Sequence, residues 1–196
     1  MIEILTLMMR IEALKRTART GWNKKPEPGD TFQARTVPNA ESVADHSWSL
    51  AMFAFMIATK LGLNVTKMVT MALLHDLAEC ITGDGVTATL PHEERRRRRA
   101  EKRILEDAAM HELFQEHREF GAECYALWVE YENGTSEEAR VLADLDKLEC
   151  AMQAVCYAQQ GHESRPEEFL AFTRSNITHP GLLEILVVLE ERTKSL

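Results

Sequence analysis

The stretch from residue 68 to residue 84, MVTMALLHDLAECITGD, constrains the fold more than any other part of this chain. Its apolar residues recur at helical spacing and Gly83 gives a stop signal, so we predict a mostly buried helix. His75 and Asp76 follow the apolar half directly, and Glu79 lies one helical turn further along the same face. Because burial of such groups is costly unless they are paired or bound, a divalent cation would account for all three.

A metal site is not the only interpretation of this pattern. A histidine in an apolar helix is more often an ordinary core residue, and a neighbouring His-Asp pair often occurs by chance. A second inward-facing histidine makes a shared ligand role more credible. It lies in the first turn of a helix for which Ser42 is a plausible N-cap, with Asp45 at the third helical position. The inward face of that helix carries His46, Leu50, Phe53 and Ile57.

The composition narrows the class of protein. The 196 residues suit one domain with a sizeable core, so we expect a single domain over residues 1–196. The net charge of −8 argues against nonspecific binding to a nucleic acid polymer or an anionic membrane. The four cysteines form no C-x-x-C pair, which argues against a zinc ribbon or a disulfide framework and favours a reducing cytoplasm. We expect no signal peptide, and the most apolar run, 48–58, is too short to span a bilayer.

The remaining segments also carry helical signals, and no convincing alternating strand is visible, so we predict an all-α helical bundle. Helices are predicted at 2–18, at 43–61, from Pro91 through an arginine run, at 111–132, from a Thr135 cap to residue 160, and near Pro166 and Pro180. The loop at 23–39 is long, and such loops are often functional, although a plain surface excursion is equally open. Five consecutive arginines at 95–99 favour a solvated face, although one or two could reach an anionic ligand.

The two histidines and Asp76 become part of a longer pattern once Asp146 is added. The order His46, His75-Asp76, Asp146 resembles the HD-domain superfamily of metal-dependent phosphohydrolases. The strings ESVADHS at 41–47 and HDLAECITGD at 75–84 resemble its 5'-deoxynucleotidase branch. RTGW at 19–22 and LWVEYE at 127–132 resemble the HD domain-containing protein 2 group within that branch. The resemblance covers roughly residues 14–160, with further helices at 161–196, whereas the 23–39 loop is longer and richer in proline than the family pattern.

The resemblance implies that His46, His75, Asp76 and Asp146 hold a divalent metal ion. Two imidazoles and two carboxylates suit Mn²⁺, Co²⁺, Fe²⁺, Ni²⁺, Zn²⁺ or Mg²⁺, and the sequence does not choose among them.

The resemblance also implies roles for four further residues. Glu79 would be the catalytic general acid or base, and Arg19 would bind the substrate phosphate by a forked contact. Trp22 would pack on the sugar or base and exclude a ribose 2'-hydroxyl. Asp84 would accept a hydrogen bond from the sugar.

We therefore expect a metal-dependent 5'-nucleotidase that acts on a small-molecule nucleotide, hydrolysing deoxynucleoside 5'-monophosphates. Another HD phosphohydrolase, acting on a nucleoside triphosphate, a cyclic nucleotide or an alarmone, is the nearest alternative. A non-catalytic nucleotide- or metal-binding module is the second. Because the family is often dimeric and the segment 182–189 has apolar residues to spare, we also expect a homodimer.

Overall fold

The computed structural model describes residues 2–23, 25, 36–85 and 92–194, and over these residues the chain is all-α. Its helices are α1 Ile2–Ile11, α2 Val43–Leu61, α3 Val65–Leu74, α4 Glu79–Thr82, α5 His92–Phe114, α6 Arg118–Asn133, α7 Glu137–Gln159, α8 Pro166–Asn176 and α9 Pro180–Thr193. Two 3-10 turns, Glu12–Lys15 and Thr20–Asn23, follow α1. Residues 24 and 26–35 of the predicted loop lie outside the described residues.

Side-chain caps set the starts of the helices that carry the candidate ligands. Ser42 caps α2 in a full capping box with Asp45, as predicted, and Asn64 caps α3. The predicted cap of α7 is wrong by one residue. Ser136, not Thr135, accepts the hydrogen bond that opens this helix.

The first helix is shorter than predicted. It ends at Ile11, and a 3-10 turn replaces its last part. The chain then leaves the helical path because its backbone pairs with the segment that precedes α2. Arg19 N donates to Glu41 O, and Val43 N donates to Thr17 O.

The helix predicted over 111–132 is two helices. α5 continues to Phe114, and α6 begins at Arg118. Gly121 explains how the two can meet so closely, since a Cβ atom there would lie only 2.7 Å from Phe114 Cβ. A larger residue would push the start of α6 away from the end of α5.

Helices α2, α3 and α7 form the centre of the bundle, and α8 and α9 pack against α7. The largest core cluster joins these five helices through buried aliphatic residues, among them Leu50, Met68, Met71, Leu142, Leu145, Leu148, Leu182 and Leu186. A second cluster, centred on Met110 and Trp128, joins α1, α5 and α6 to the same framework. The three central helices are also those predicted to carry metal ligands, so the candidate ligands rest on the best-packed part of the fold.

The apolar C-terminal segment, residues 182–189, is more buried than the sequence suggests. Leu182 and Leu186 of α9 are buried in the main core and are not spare, whereas Ile185, Val187 and Val188 are exposed. Larger exposed apolar side chains lie on α1 and α2, namely Leu5, Met8, Met9, Trp48, Met52, Phe55 and Met56. Within the described part of the chain, no helix has both the length and the apolar character needed to cross a membrane.

Candidate active site

The four predicted metal ligands meet in one cluster. His46 comes from the first turn of α2, His75 and Asp76 from the turn that directly follows α3, and Asp146 from the middle of α7. His46 Nε2 lies 3.3 Å from His75 Nε2 and 3.1 Å from Asp146 Oδ1. Asp76 Oδ2 lies 3.1 Å from His75 Nε2 and 3.9 Å from His46 Nε2. Residues 100 positions apart in the chain thus present four donor atoms to one small volume.

Both imidazoles turn Nε2 toward this volume because Nδ1 is engaged elsewhere. His75 Nδ1 lies 2.7 Å from the carbonyl oxygen of Ala72, which can only accept, so Nδ1 carries the proton. His46 Nδ1 lies 2.7 Å from Glu149 Oε2. Such partners fix the tautomer and orientation of a metal-binding histidine.

The charges in the cluster are strongly coupled. Burial and the Arg19 charge oppose protonation of His46, but hydrogen bonds to Asp146 and Glu149 outweigh them and raise the pKa of His46 to about 10. Burial disfavours the Asp146 carboxylate, yet the hydrogen bond and charge of His46 lower the pKa of Asp146 to about 2. Burial likewise opposes ionisation of Asp76, but His75 and Arg19 hold its pKa well below the usual range. Both carboxylates therefore stay ionised near neutral pH.

This donor set fits a divalent metal ion. Ligand atoms held at about 2.0–2.2 Å from one ion lie roughly 3 Å apart. This is close to the 3.1–3.3 Å contacts that join His46 to His75 and to Asp146, and His75 to Asp76. His46 has no exposed side-chain surface, whereas 29% of the Asp146 side chain is exposed, so the cluster opens to solvent on the α7 side. Cys150, one turn after Asp146, adds a thiol whose sulfur lies within 4.8 Å of donor atoms of His46 and Asp146.

Arg19 lies beside the cluster. Its Nη1 donates to Asp76 Oδ2 at 3.1 Å, and its Nη2 donates to Cys150 Sγ at 3.3 Å. The 3-10 turn that follows is tied to Asp84, whose Oδ2 accepts from Thr20 N at 2.5 Å and from Thr20 Oγ1 at 2.9 Å. Arg19 and Asp84 are therefore held on one rim of the same site.

Glu79 opens α4 and is 1% exposed. Its Oε1 accepts from Lys102 Nζ at 3.0 Å, and Lys102 also pairs with Glu106 at 3.2 Å. Its Oε2 is buried and accepts no hydrogen bond from the described residues. Burial and the charge of Asp76 raise the pKa of Glu79 to about 8 against the lowering effect of Lys102. A carboxyl with one tethered oxygen, one free oxygen and this pKa is suited to proton transfer.

Trp22 lies deeper than the sequence suggests. Its side chain is 2% exposed, stacks on Phe169 with ring centroids 4.8 Å apart, and meets Tyr157 edge-on at 5.1 Å. Its Nε1 donates to Glu41 Oε1 at 2.9 Å. Burial and the charge of Glu149 raise the pKa of Glu41 to about 7. Trp22 thus belongs to a small core cluster, and its contact with a substrate stays a prediction.

The sequence profile of the HD domain family matches residues 11–184. The chain belongs to the HD domain family. It is 34% identical over 197 residues to 5'-deoxynucleotidase HDDC2 from Mus musculus, across 98% of this chain and 90% of that protein. It is 35% identical over 190 residues to the Homo sapiens protein of that name, across 95% and 84%. The fold is similar to that of a conserved hypothetical protein from Pyrococcus furiosus, with a TM-score of 0.70 and 27% identity over 95% of this chain and 99% of that one.

Sequence reasoning missed four residues that surround the HD ligands. Glu149 carried a usable signal, because it lies three residues after Asp146 on the same helix. Glu41 is the first residue of the ESVADHS string, and Cys150 lies one helical turn after Asp146, but neither has a pattern of its own that indicates its role. Lys102 comes from the charged helix α5, whose arginines do form the predicted solvated face. On that face Arg96, Arg97 and Arg98 pair with neighbouring glutamates.

Proposed function

We propose that this HD domain protein is a metal-dependent 5'-nucleotidase that hydrolyses deoxynucleoside 5'-monophosphates to deoxynucleoside and phosphate. The observation that carries the proposal is the convergence of the four proposed metal donors and Arg19 in one cluster that reaches solvent at Asp146, with Glu79 buried within range of the Asp76 charge. Support for this substrate class comes from relatives named 5'-deoxynucleotidase that match nearly the whole chain at 34–35% identity. The proposal treats residues 1–196 as one HD domain.

His46, His75, Asp76 and Asp146 would hold the metal, which the donor set leaves open among Mn²⁺, Co²⁺, Fe²⁺, Ni²⁺, Zn²⁺ and Mg²⁺. When bound, such an ion lowers the pKa of water and neutralises phosphate charge. The protein's own contribution is to aim both Nε2 atoms at one point and to keep both carboxylates ionised.

Arg19 would bind the phosphate. Its guanidinium lies 3.1 Å from Asp76, so a phosphate that reaches the metal donors also comes within range of its forked N–H groups. Asp76 and Cys150 each accept one N–H of the guanidinium, so the phosphate would bind the N–H groups that remain.

Glu79 would move the proton. Hydrolysis adds water to phosphorus and breaks the bond to O5', which must leave with a proton. A pKa of about 8 keeps most Glu79 side chains protonated at pH 7, so Glu79 can act as the general acid. Lys102 fixes Oε1 and leaves Oε2 for the transfer.

Trp22 and Asp84 would define the sugar pocket. Both residues are tied to the 3-10 turn that follows Arg19. Trp22 lies in that turn, and Thr20 of the same turn donates a hydrogen bond to Asp84. The wall that Trp22 supports would leave a 2'-hydroxyl without room or a hydrogen-bond partner, which favours deoxyribose.

A phosphate-release panel tests the proposal. Metal-loaded protein should release phosphate from dAMP faster than from AMP, and a chelator should stop the reaction. Preferential turnover of a triphosphate, a cyclic nucleotide or an alarmone would replace the proposed substrate, and tight nucleotide binding without turnover would indicate a binding module.

We also propose a cytoplasmic homodimer. The exposed apolar side chains of α1 and α2 support pairing through these helices more than through α9, whose Leu182 and Leu186 are already buried. A monomer mass by light scattering at micromolar concentration would contradict the dimer.

A further inference from the structure

Glu149 is an acidic residue in an apolar position. It lies on α7 with 1% of its surface exposed, on the side of the helix that carries Leu145 and Leu148 into the core. A carboxylate there is costly unless it is hydrogen-bonded, and a leucine of similar size would fill the position at no such cost. Its contact explains why an acid is present: Oε2 lies 2.7 Å from His46 Nδ1.

We propose that Glu149 is a positioning residue of the metal centre, which accepts the Nδ1–H of His46 and so keeps Nε2 aimed at the shared donor cluster. The inference rests on the metal dependence in the proposed function. His46 is fully buried, and without this acceptor its ring could carry the proton on Nε2, where the metal must bind. The charged acceptor also makes the imidazole a better ligand.

The two histidines are oriented by different means. His75 uses the carbonyl oxygen of Ala72, three residues earlier on its own helix, so its orientation is local. His46 depends on a side chain 103 residues away, on the helix that also supplies Asp146. Glu149 therefore couples the orientation of one ligand to the placement of another, and α2 and α7 must be docked for both.

The network extends toward Trp22. A carboxylate oxygen of Glu41 lies within 4.8 Å of both His46 and Glu149, and Glu41 accepts the Trp22 indole N–H. Glu41 and Glu149 thus lie between the proposed sugar wall and the metal ligand. Replacement of Glu149 should affect metal binding more directly than replacement of Glu41. Among the described residues, Glu149 alone lies within hydrogen-bond distance of His46 Nδ1.

The test is metal affinity of the metal-free protein, measured by titration with Co²⁺ against a competing chelator. Glu149→Leu should weaken binding by about 10- to 100-fold, the range for loss of such a partner. Glu149→Gln should lose less, because its amide oxygen still accepts the Nδ1–H. Asp144→Asn is the matched control. Asp144 is a buried acid on the same helix whose carboxylate binds Thr178 and His179 instead.

The control should lower the melting temperature and leave the Co²⁺ affinity unchanged. Glu149→Leu with an affinity within about twofold of wild type would overturn the proposal. If that variant does not fold, long-range ¹H–¹⁵N NMR of the Zn²⁺-loaded wild type decides. A protonated Nδ1 on His46 supports the role, and metal bound at Nδ1 overturns it. Weakened Co²⁺ binding in a protein that hydrolyses no nucleotide would leave this inference standing and refute only the proposed function.

Discussion

Replacement of Glu79 by glutamine separates proton transfer from every other role of this side chain. The amide keeps the size of the carboxyl group and can still accept from Lys102 through its oxygen. It carries no transferable proton. Because Glu79 is not among the four proposed metal donors, its replacement should leave the bound metal in place.

The raised pKa sets the starting protonation state of Glu79. With a pKa raised to about 8 by burial and the charge of Asp76, most Glu79 side chains are protonated at pH 7 and can act as an acid. Loss of a general acid or base typically costs about 10²- to 10⁴-fold, and kcat should fall by that range. KM should change little, because Arg19 and the metal donors are untouched.

Glu106→Gln is the matched control for this variant. Glu106 is also buried, also pairs with Lys102, and loses the same group, but it lies on α5 one turn after Lys102 and not on an element that carries a proposed metal donor. Single-turnover and steady-state phosphate release from dAMP would be compared for both variants, with metal content and melting temperature measured on the same samples. We expect Glu106→Gln to keep kcat within about threefold of wild type.

Three results would contradict this assignment. Activity of Glu79→Gln within about threefold of wild type would show that Glu79 does not transfer the proton. Loss of metal from Glu79→Gln would make Glu79 a ligand, and the set of four donors would have to be revised. Equal losses in both variants would assign the effect to the Lys102 pair instead.

The other predictions concern the metal, the sugar and stability. Asp146→Ala should lose bound metal, and chelated wild type should regain turnover with Mn²⁺ or Co²⁺; full activity in protein that elemental analysis finds free of metal would contradict the assignment. Arg19→Ala should lower kcat/KM for dAMP and for AMP by similar factors. Trp22→Phe should instead reduce the ratio of kcat/KM for dAMP to kcat/KM for AMP. Phenylalanine is chosen because Trp→Ala in a core costs about 3–5 kcal/mol of stability. An unchanged ratio would remove Trp22 from the sugar site. Burial raises the pKa of Glu106 to about 7, although the charge of Lys102 lowers it. This carboxyl group is therefore harder to ionise in the folded protein than in the unfolded protein, and its contribution to the free energy of unfolding falls as the pH rises toward 7. Relative to wild type, the free energy of unfolding of Glu106→Gln, measured in urea, should be higher at pH 8 than at pH 5 by at most about 3 kcal/mol. An identical pH dependence for the two proteins would refute this.

The sequence was sufficient to place His46 and Asp146 on their helices. Periodicity marks the buried faces of α2 and α7, and a capping box at Ser42 fixes where α2 begins, hence where His46 points. The local strings around His46 and His75 identify the family that the full-length comparisons confirm. These signals are local, and each depends on residues within about two helical turns of the ligand.

The partners of those residues were beyond the reach of such signals. Lys102 reaches Glu79 from a helix whose mean composition is that of a solvated surface, and only the docking of α5 against α4 shows which of its cations is turned inward. Glu41 meets Glu149 because the segment before α2 packs on α7. Contacts between residues about 100 positions apart are fixed by the packing of the whole bundle, which no single window of sequence contains.

The break in the central helix shows most clearly where local reasoning fails. On a regular α-helix, adjacent residues point about 100° apart, so His75 and Asp76 could not both face one ion. The structure ends α3 at Leu74, and the bonds Leu77 N→Leu74 O and Glu79 N→Asp76 O tighten the next turn. This turn brings Asp76 Oδ2 within 3.1 Å of His75 Nε2. No glycine or proline marks it, and the apolar pattern continues through Leu77 and Ala78. The departure from a regular helix therefore has its physical reason in the polar cluster itself, which is why it coincides with the candidate active site.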